Sequence, residues 1–125
     1  MHENDISYAI RGAAFNVYNE LGPGLLESVY EAALTYELKQ NQHQVQTQLA
    51  LPVEYHGQKL ELGFRIDLMV DDAVIVEVKS VEALLPVHYK QLLTYLRLTN
   101  CKLGLLINFN TDDLKNNIKR LVNNL

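Results

Sequence analysis

The chain has 125 residues, 48% hydrophobic and 21% charged, which suits one domain with an ordinary apolar core and excludes a disordered or low-complexity polypeptide. Its 11 Lys and Arg against 15 Asp and Glu give a net charge of −4, so a tight non-specific grip on nucleic acid by the monomer is not expected. One cysteine, Cys101, rules out an internal disulfide, and no segment approaches the roughly 20 apolar residues of a membrane span, which sets a cytoplasmic expectation without membrane association.

Asp5 is placed to cap a first helix whose apolar stripe is Ile6, Ala9, Ile10, Ala13, Val17 and Leu21, and Gly22-Pro23-Gly24 ends it. A second helix is predicted from about Leu25 to Gln40, with Leu26, Val29, Tyr30, Ala33 and Leu34 facing inward. Glu27 and Glu31 lie one turn apart on it. Two such glutamates usually mark a solvated surface, but these share their side with Leu34 and Leu38. A glutamate from this helix, Glu27 before Glu31, is therefore a candidate to reach a site on the sheet.

Gln44 to Tyr55 reads as a strand with Val45, Thr47, Leu49 and Leu51 on one face. His56-Gly57 turns it into Gln58 to Leu62, which leads into a strand from Phe64 to Val70. The run Ala73-Val74-Ile75-Val76 is a buried strand that ends in Glu77-Val78-Lys79. Alternation puts Glu77 and Lys79 on one face. A two-residue loop, Asp71-Asp72, would pair Asp67 with Val76 and turn it away from Glu77. A three-residue loop, Asp71 to Ala73, pairs Asp67 with Glu77 and Arg65 with Lys79. A site on these acids therefore needs an odd loop or a bulge here, and the bland alternative is a surface hairpin whose charged face is solvated. With either device two carboxylates and a lysine converge, the residue set of a divalent-cation site for phosphodiester hydrolysis.

Pro86 opens a helix to about Leu98 that carries Gln91 and Tyr95 one turn apart. Gln91 is a candidate to orient a phosphate or an attacking water, whereas Tyr95, among Leu92, Leu93 and Leu96, reads more readily as core. Lys102 to Phe109 is a further buried strand, and Thr111 to Val122 is predicted as a closing helix. The order α-α-β-β-β-α-β-α gives an α/β fold with a mixed central sheet flanked by helices, one domain over residues 1–125. The four histidines are scattered, and the chain has no glycine-rich phosphate loop or cysteine-pair zinc motif.

Gly24-Leu25-Leu26-Glu27-Ser28-Val29-Tyr30 matches a G-x-x-E-x-x-Y signature, and from the first helix to Asn108 the chain resembles the GxxExxY family of the PD-(D/E)XK nuclease superfamily. That resemblance implies a restriction-endonuclease-like fold in which Asp67 and Glu77 bind Mg²⁺ and Lys79 assists the nucleophilic water. Gln91-Leu92-Leu93-Thr94-Tyr95 is similar to the Q-h-x-x-Y motif of the RecB-like branch, and Glu27 matches an acid carried on the helix before the sheet. Ile66 stands before Asp67 where the superfamily's name has proline.

The expectation is a Mg²⁺- or Mn²⁺-dependent phosphodiesterase acting on DNA. Asp67, Glu77, the Val78 carbonyl and Glu27 would hold the ion, with Lys79 and Gln91 acting on the water and phosphate. Nucleic-acid binding by the isolated chain is expected to be weak, given its charge. The alternative is a non-catalytic or partner-dependent module on the same fold, acting with another protein or a second copy of itself.

Overall fold

The computed structural model describes residues 2–125, the side chains of 61 and 62 excepted. Helix α1 spans Glu3–Leu21 and buries Ile6, Ile10, Ala13 and Val17 of the expected stripe together with Ala14, while Ala9 is half-buried and Leu21, at the last turn, is exposed. It starts ahead of Asp5: His2 is the N-cap, its Nδ1 accepting from the Asn4 N–H at 3.0 Å. Gly22 closes the helix at φ +69°, a conformation that favours glycine, with its N–H donated to the Tyr18 carbonyl at 2.8 Å.

Helix α2, Glu27–Gln40, buries Tyr30, Leu34 and Leu38. Leu26 and Val29, expected inward, are 74% and 41% exposed. The Tyr30 ring stacks flat on Phe109, centroids 4.5 Å apart, and this anchor sets the rotation of the helix. Leu26, still extended at the N-cap, is left outside.

Strands β1 (Val45–Tyr55), β2 (Gln58–Val70) and β3 (Val74–Lys79) form an antiparallel meander. Helix α3 (Pro86–Thr99) crosses to β4 (Leu103–Asn108), which pairs parallel to β3. The predicted closing helix from Thr111 to Val122 is not formed. A short 3₁₀ turn, Leu114–Asn117, leads instead into β5, Ile118–Val122, antiparallel to β4. Leu114, Ile118 and Leu121 mimic a helical stripe, but Asn116-Asn117 is a weak helix former, and the open edge of β4 offers a ladder to the β-branched Ile118 and Val122. The sheet order is β1-β2-β3-β4-β5.

The expected mixed sheet between helices is present. Helices α1 and α2 pack on one face, against Leu68, Val70, Val74, Val76, Val78, Leu105 and Ile107. Helix α3 packs on the other through Leu92, Tyr95 and Leu96, against Ile66, Met69, Ile75 and Leu106. Only Leu68 to Val70 of β2 pairs with β3, so the rest of the β1–β2 ribbon extends beyond the sheet as a two-stranded arm. Its register slips between Leu51 and Val53 beside Gly63, where a Cβ would collide with the Leu51 carbonyl oxygen. No helix among the described residues is long and apolar enough to cross a membrane.

Candidate active site

The β2–β3 ladder runs Val70↔Val74, Met69↔Ile75, Leu68↔Val76 around a three-residue loop, Asp71 to Ala73. Asp71 and Asp72 both take left-handed φ, +53°. The loop is also pinned from outside: Asp71 accepts from the Gln44 N–H at 2.8 Å and pairs with His43 Nδ1 at 2.7 Å. The odd loop puts Asp67 opposite Glu77, the register in which the two carboxylates meet.

At that pair the ladder parts. Glu77 Oε2 accepts from the Asp67 N–H at 2.9 Å, and Asp67 Oδ2 accepts from the Val78 N–H at 2.8 Å. Continued one step, the ladder would set Val78 against Ile66; the Asp67 carboxylate takes that rung instead. N–H and C=O of one strand residue point to the same edge, so the Val78 carbonyl also opens toward the fork.

The β1–β2 ladder is interrupted at the same level. Gln48 stands opposite Asp67, between the pairs Thr47↔Leu68 and Leu49↔Ile66, yet drops out of the ladder at φ +50°. Its side-chain Nε2 donates to both Glu31 carboxylate oxygens at 2.9 and 3.0 Å and lies 3.4 Å from Asp67 Oδ1. Gln48 was not foreseen. Without the loop length and the β1 register, it is one polar residue among several on an exposed strand.

Electrostatics show a site short of positive charge. Glu77 is only 3% exposed, and burial, followed by the Asp67 charge, pushes its carboxyl up to about 8; the Asp67 N–H and Lys79 oppose this. Burial also raises Asp67, against the Val78 N–H, Lys79 and Gln48, with Glu27 adding repulsion. Glu31 is raised by burial and by the charges of Asp67 and Glu27, opposed by Gln48. Tyr95, beneath the fork on α3, is pushed up to about 12 by burial and then by Glu77 and Asp67.

The other expected residues stand around this pair. Lys79 ends β3 on the same face as Glu77, level with Asn108 of β4. The Asn108 side chain, 1% exposed, clamps the segment after it: Oδ1 accepts from the Val81 N–H at 3.0 Å and Nδ2 donates to the Val81 carbonyl at 2.9 Å. Gln91 lines a cavity on α3 with Phe64, Lys90, Thr94 and Tyr95, and none of the described hydrogen bonds joins it to either carboxylate.

Glu27 opens α2 at the rim, exposed, its Oε1 3.4 Å from the Ser80 N–H. The G-x-x-E-x-x-Y segment is the unit that holds it there. The Tyr30 hydroxyl donates to the Gly22 carbonyl at 2.6 Å and accepts from the Leu25 N–H at 3.1 Å, while Ser80 Oγ donates to the Leu25 carbonyl at 2.6 Å. Glu31 is half-buried and tied to Gln48, so both glutamates approach the fork from α2.

The donor set fits a hard divalent cation: all oxygen, two carboxylates held close against their mutual repulsion, and a backbone carbonyl at a frayed strand edge. Among the described residues no group of three or more His, Cys, Asp and Glu side chains is gathered to hold an ion. An ion at this fork would complete its shell from carbonyl oxygen and water, as Mg²⁺ commonly does.

No curated protein and no solved structure matches the chain. The family model of the PD-(D/E)XK nuclease superfamily matches residues 4–121, from the first turn of α1 to the last core residue of β5. The mixed sheet between helices agrees with a restriction-endonuclease-like fold, and the chain belongs to the PD-(D/E)XK nuclease superfamily.

Proposed function

We propose that the chain is a metal-dependent nuclease of the GxxExxY branch that hydrolyses phosphodiester bonds of DNA. The observation that supports this most is the fork at Asp67 and Glu77, where two carboxylates replace ladder rungs at the cost of burying Glu77 with no ion-paired cation described beside it. Asp67, Glu77 and the Val78 carbonyl are the residues to hold Mg²⁺ or Mn²⁺, with Glu27, exposed at the rim, reaching the ion through a bound water. Bound there, the cation supplies Lewis acidity at the phosphate and lowers the pKa of a water.

The chain's own groups do the rest. Lys79 positions the water and counters charge growing on the phosphate oxygens. Gln91, on the cavity wall, orients the phosphate or the nucleophile. Asn108 and the Phe109 N–H, which donates to the Lys79 carbonyl at 2.9 Å, keep the lysine's backbone in place. The net charge of −4 favours a second reading, a nuclease-like module that binds nucleic acid or protein without cutting, or cuts only with a partner.

Cleavage of labelled DNA with Mg²⁺ or Mn²⁺, in wild type and Lys79→Ala, separates the two. Cation-dependent cleavage that falls by orders of magnitude in a folded Lys79→Ala is the expected result. Cleavage that persists in EDTA, or survives the lysine change, contradicts the mechanism. Cation binding without cleavage moves the assignment to the module.

A further inference from the structure

We propose that the surface on either side of Phe64, running from the β1–β2 arm onto α3, is a track for single-stranded nucleic acid, with Phe64 as its base-stacking platform and Arg65 and Lys59 on the arm and Lys90 on α3 as its phosphate contacts. This rests on the nuclease reading of the adjoining carboxylates and adds the strandedness of the substrate. Phe64 walls two cavities at once. One, about 380 Å³, is shared with Leu51, Pro52, Lys59, Gly63 and Arg65. The other, about 230 Å³, is shared with Val87, Lys90, Gln91, Thr94 and Tyr95.

The ring is held but not covered. Its centroid lies 5.3 Å from that of Tyr95 at a 59° tilt, yet Phe64 remains 40% exposed while Tyr95 beneath it is 2% exposed. Tyr95 is thus the support and Phe64 the surface. An aromatic kept partly in solvent, at a position fixed by its pairing with Leu51, is suited to receive the face of a base.

Charge fits the same occupant. Among the described side chains Lys59, Arg65 and Lys90 have no carboxylate within 4.0 Å, although Glu54 stands opposite Lys59 in the ladder and Arg65 Nη1 donates to the Gln48 carbonyl at 3.4 Å. Three cations beside an aromatic in a chain of net charge −4 suit a strand held partly by stacking. A duplex presents its bases already stacked and depends on many more phosphate contacts. The track also leads to the site: Phe64 is three residues before Asp67 on β2, about 10 Å along the strand. Gln91 lines the 230 Å³ cavity together with Phe64.

Fluorescence anisotropy with labelled oligo-dT, oligo-rU and a duplex of the same length, in Ca²⁺, tests the track. Wild type should bind a single strand at least tenfold more tightly than the duplex, and Phe64→Leu should weaken that binding by roughly tenfold or more. Arg65→Gln and Lys90→Gln should each weaken it and reduce the salt slope by about 0.7. Preference for oligo-rU over oligo-dT would support the track and assign it to RNA. Duplex bound as tightly as single strand overturns it, and so does wild-type binding by a Phe64→Leu protein that melts like wild type. If Phe64→Leu is unstable, unchanged affinity and salt slope in both surface variants overturn it. Cleavage is scored separately in Mg²⁺ or Mn²⁺. A protein that binds single strands as described but cuts nothing refutes the nuclease reading and leaves the track. Cutting with Phe64-independent binding refutes the track alone.

Discussion

Asp67 and Glu77 hold the β2–β3 fork open together: the Glu77 carboxylate accepts from the Asp67 N–H at 2.9 Å, and the Asp67 carboxylate accepts from the Val78 N–H at 2.8 Å. Each carboxylate thus satisfies a backbone donor that the parted ladder would leave unpaired. The same arrangement sets two acids against each other in a buried place. The fork is stable enough to form and poorly neutralised, which is the condition a divalent cation relieves.

The Glu77 carboxyl should make the metal-free protein less stable as pH rises. Its value is raised from 4.5 to about 8 in the fold, so between those limits the folded chain keeps a proton that the unfolded chain has lost. Stability from this group is full below about pH 4.5 and declines as pH rises through about 8, with Asp67 shifted in the same direction. Thermal melts in EDTA should fall across this window by an amount on the order of a few kcal/mol in stability. In Glu77→Gln the decline should flatten. A wild-type melt independent of pH there would contradict the electrostatics of the fork.

Gln48 separates backbone strain from side-chain chemistry. At φ +50° a non-glycine residue is strained, and the amide that holds Glu31 beside Asp67 comes from the same residue. Gln48→Ala and Gln48→Gly both lose the amide, so both should bind a divalent cation more weakly than wild type. They differ only in the backbone, and the glycine variant should be more stable than the alanine variant by about 1 kcal/mol. Equal urea midpoints would show that the left-handed turn carries no strain.

The sequence made the fork legible and left its surroundings dark. Period-two alternation and the ten-residue spacing of Asp67 and Glu77 leave two registers, and the loop length decides between them. That length depends on Asp71 adopting left-handed φ and bonding to His43 and Gln44, contacts made between a turn and a segment distant in sequence. Helix α2 was legible as a helix, but its rotation was not, because the Tyr30–Phe109 stack joins residues far apart in the chain. The last segment was misread for a similar reason. The spacing of Leu114, Ile118 and Leu121 suits a helix, and only the exposed edge of β4 turns it into a strand.

Asn108 should matter out of proportion to its distance from the carboxylates. Its side chain satisfies both polar groups of Val81 and accepts from the Asn110 N–H at 3.2 Å. Asn108→Ala leaves these part-buried groups without partners and should cost about 2–3 kcal/mol in denaturant unfolding. The cleavage proposed for this site should fall as well in a variant that remains folded, since the segment after Lys79 is released. A loss below about 0.5 kcal/mol would mean that the clamp is replaced by water.

The most direct test is calorimetric titration of Mn²⁺ and of Mg²⁺ into wild type and Asp67→Ala at neutral pH, in two buffers of different ionisation enthalpy. Wild type should bind a cation with heats that differ between the buffers, because binding displaces the proton held at Glu77. Asp67→Ala, folded by its melt, should lose that binding. A wild type that binds neither ion, or an Asp67→Ala protein that binds as wild type does, would contradict the assignment of Asp67 and Glu77 as the cation site.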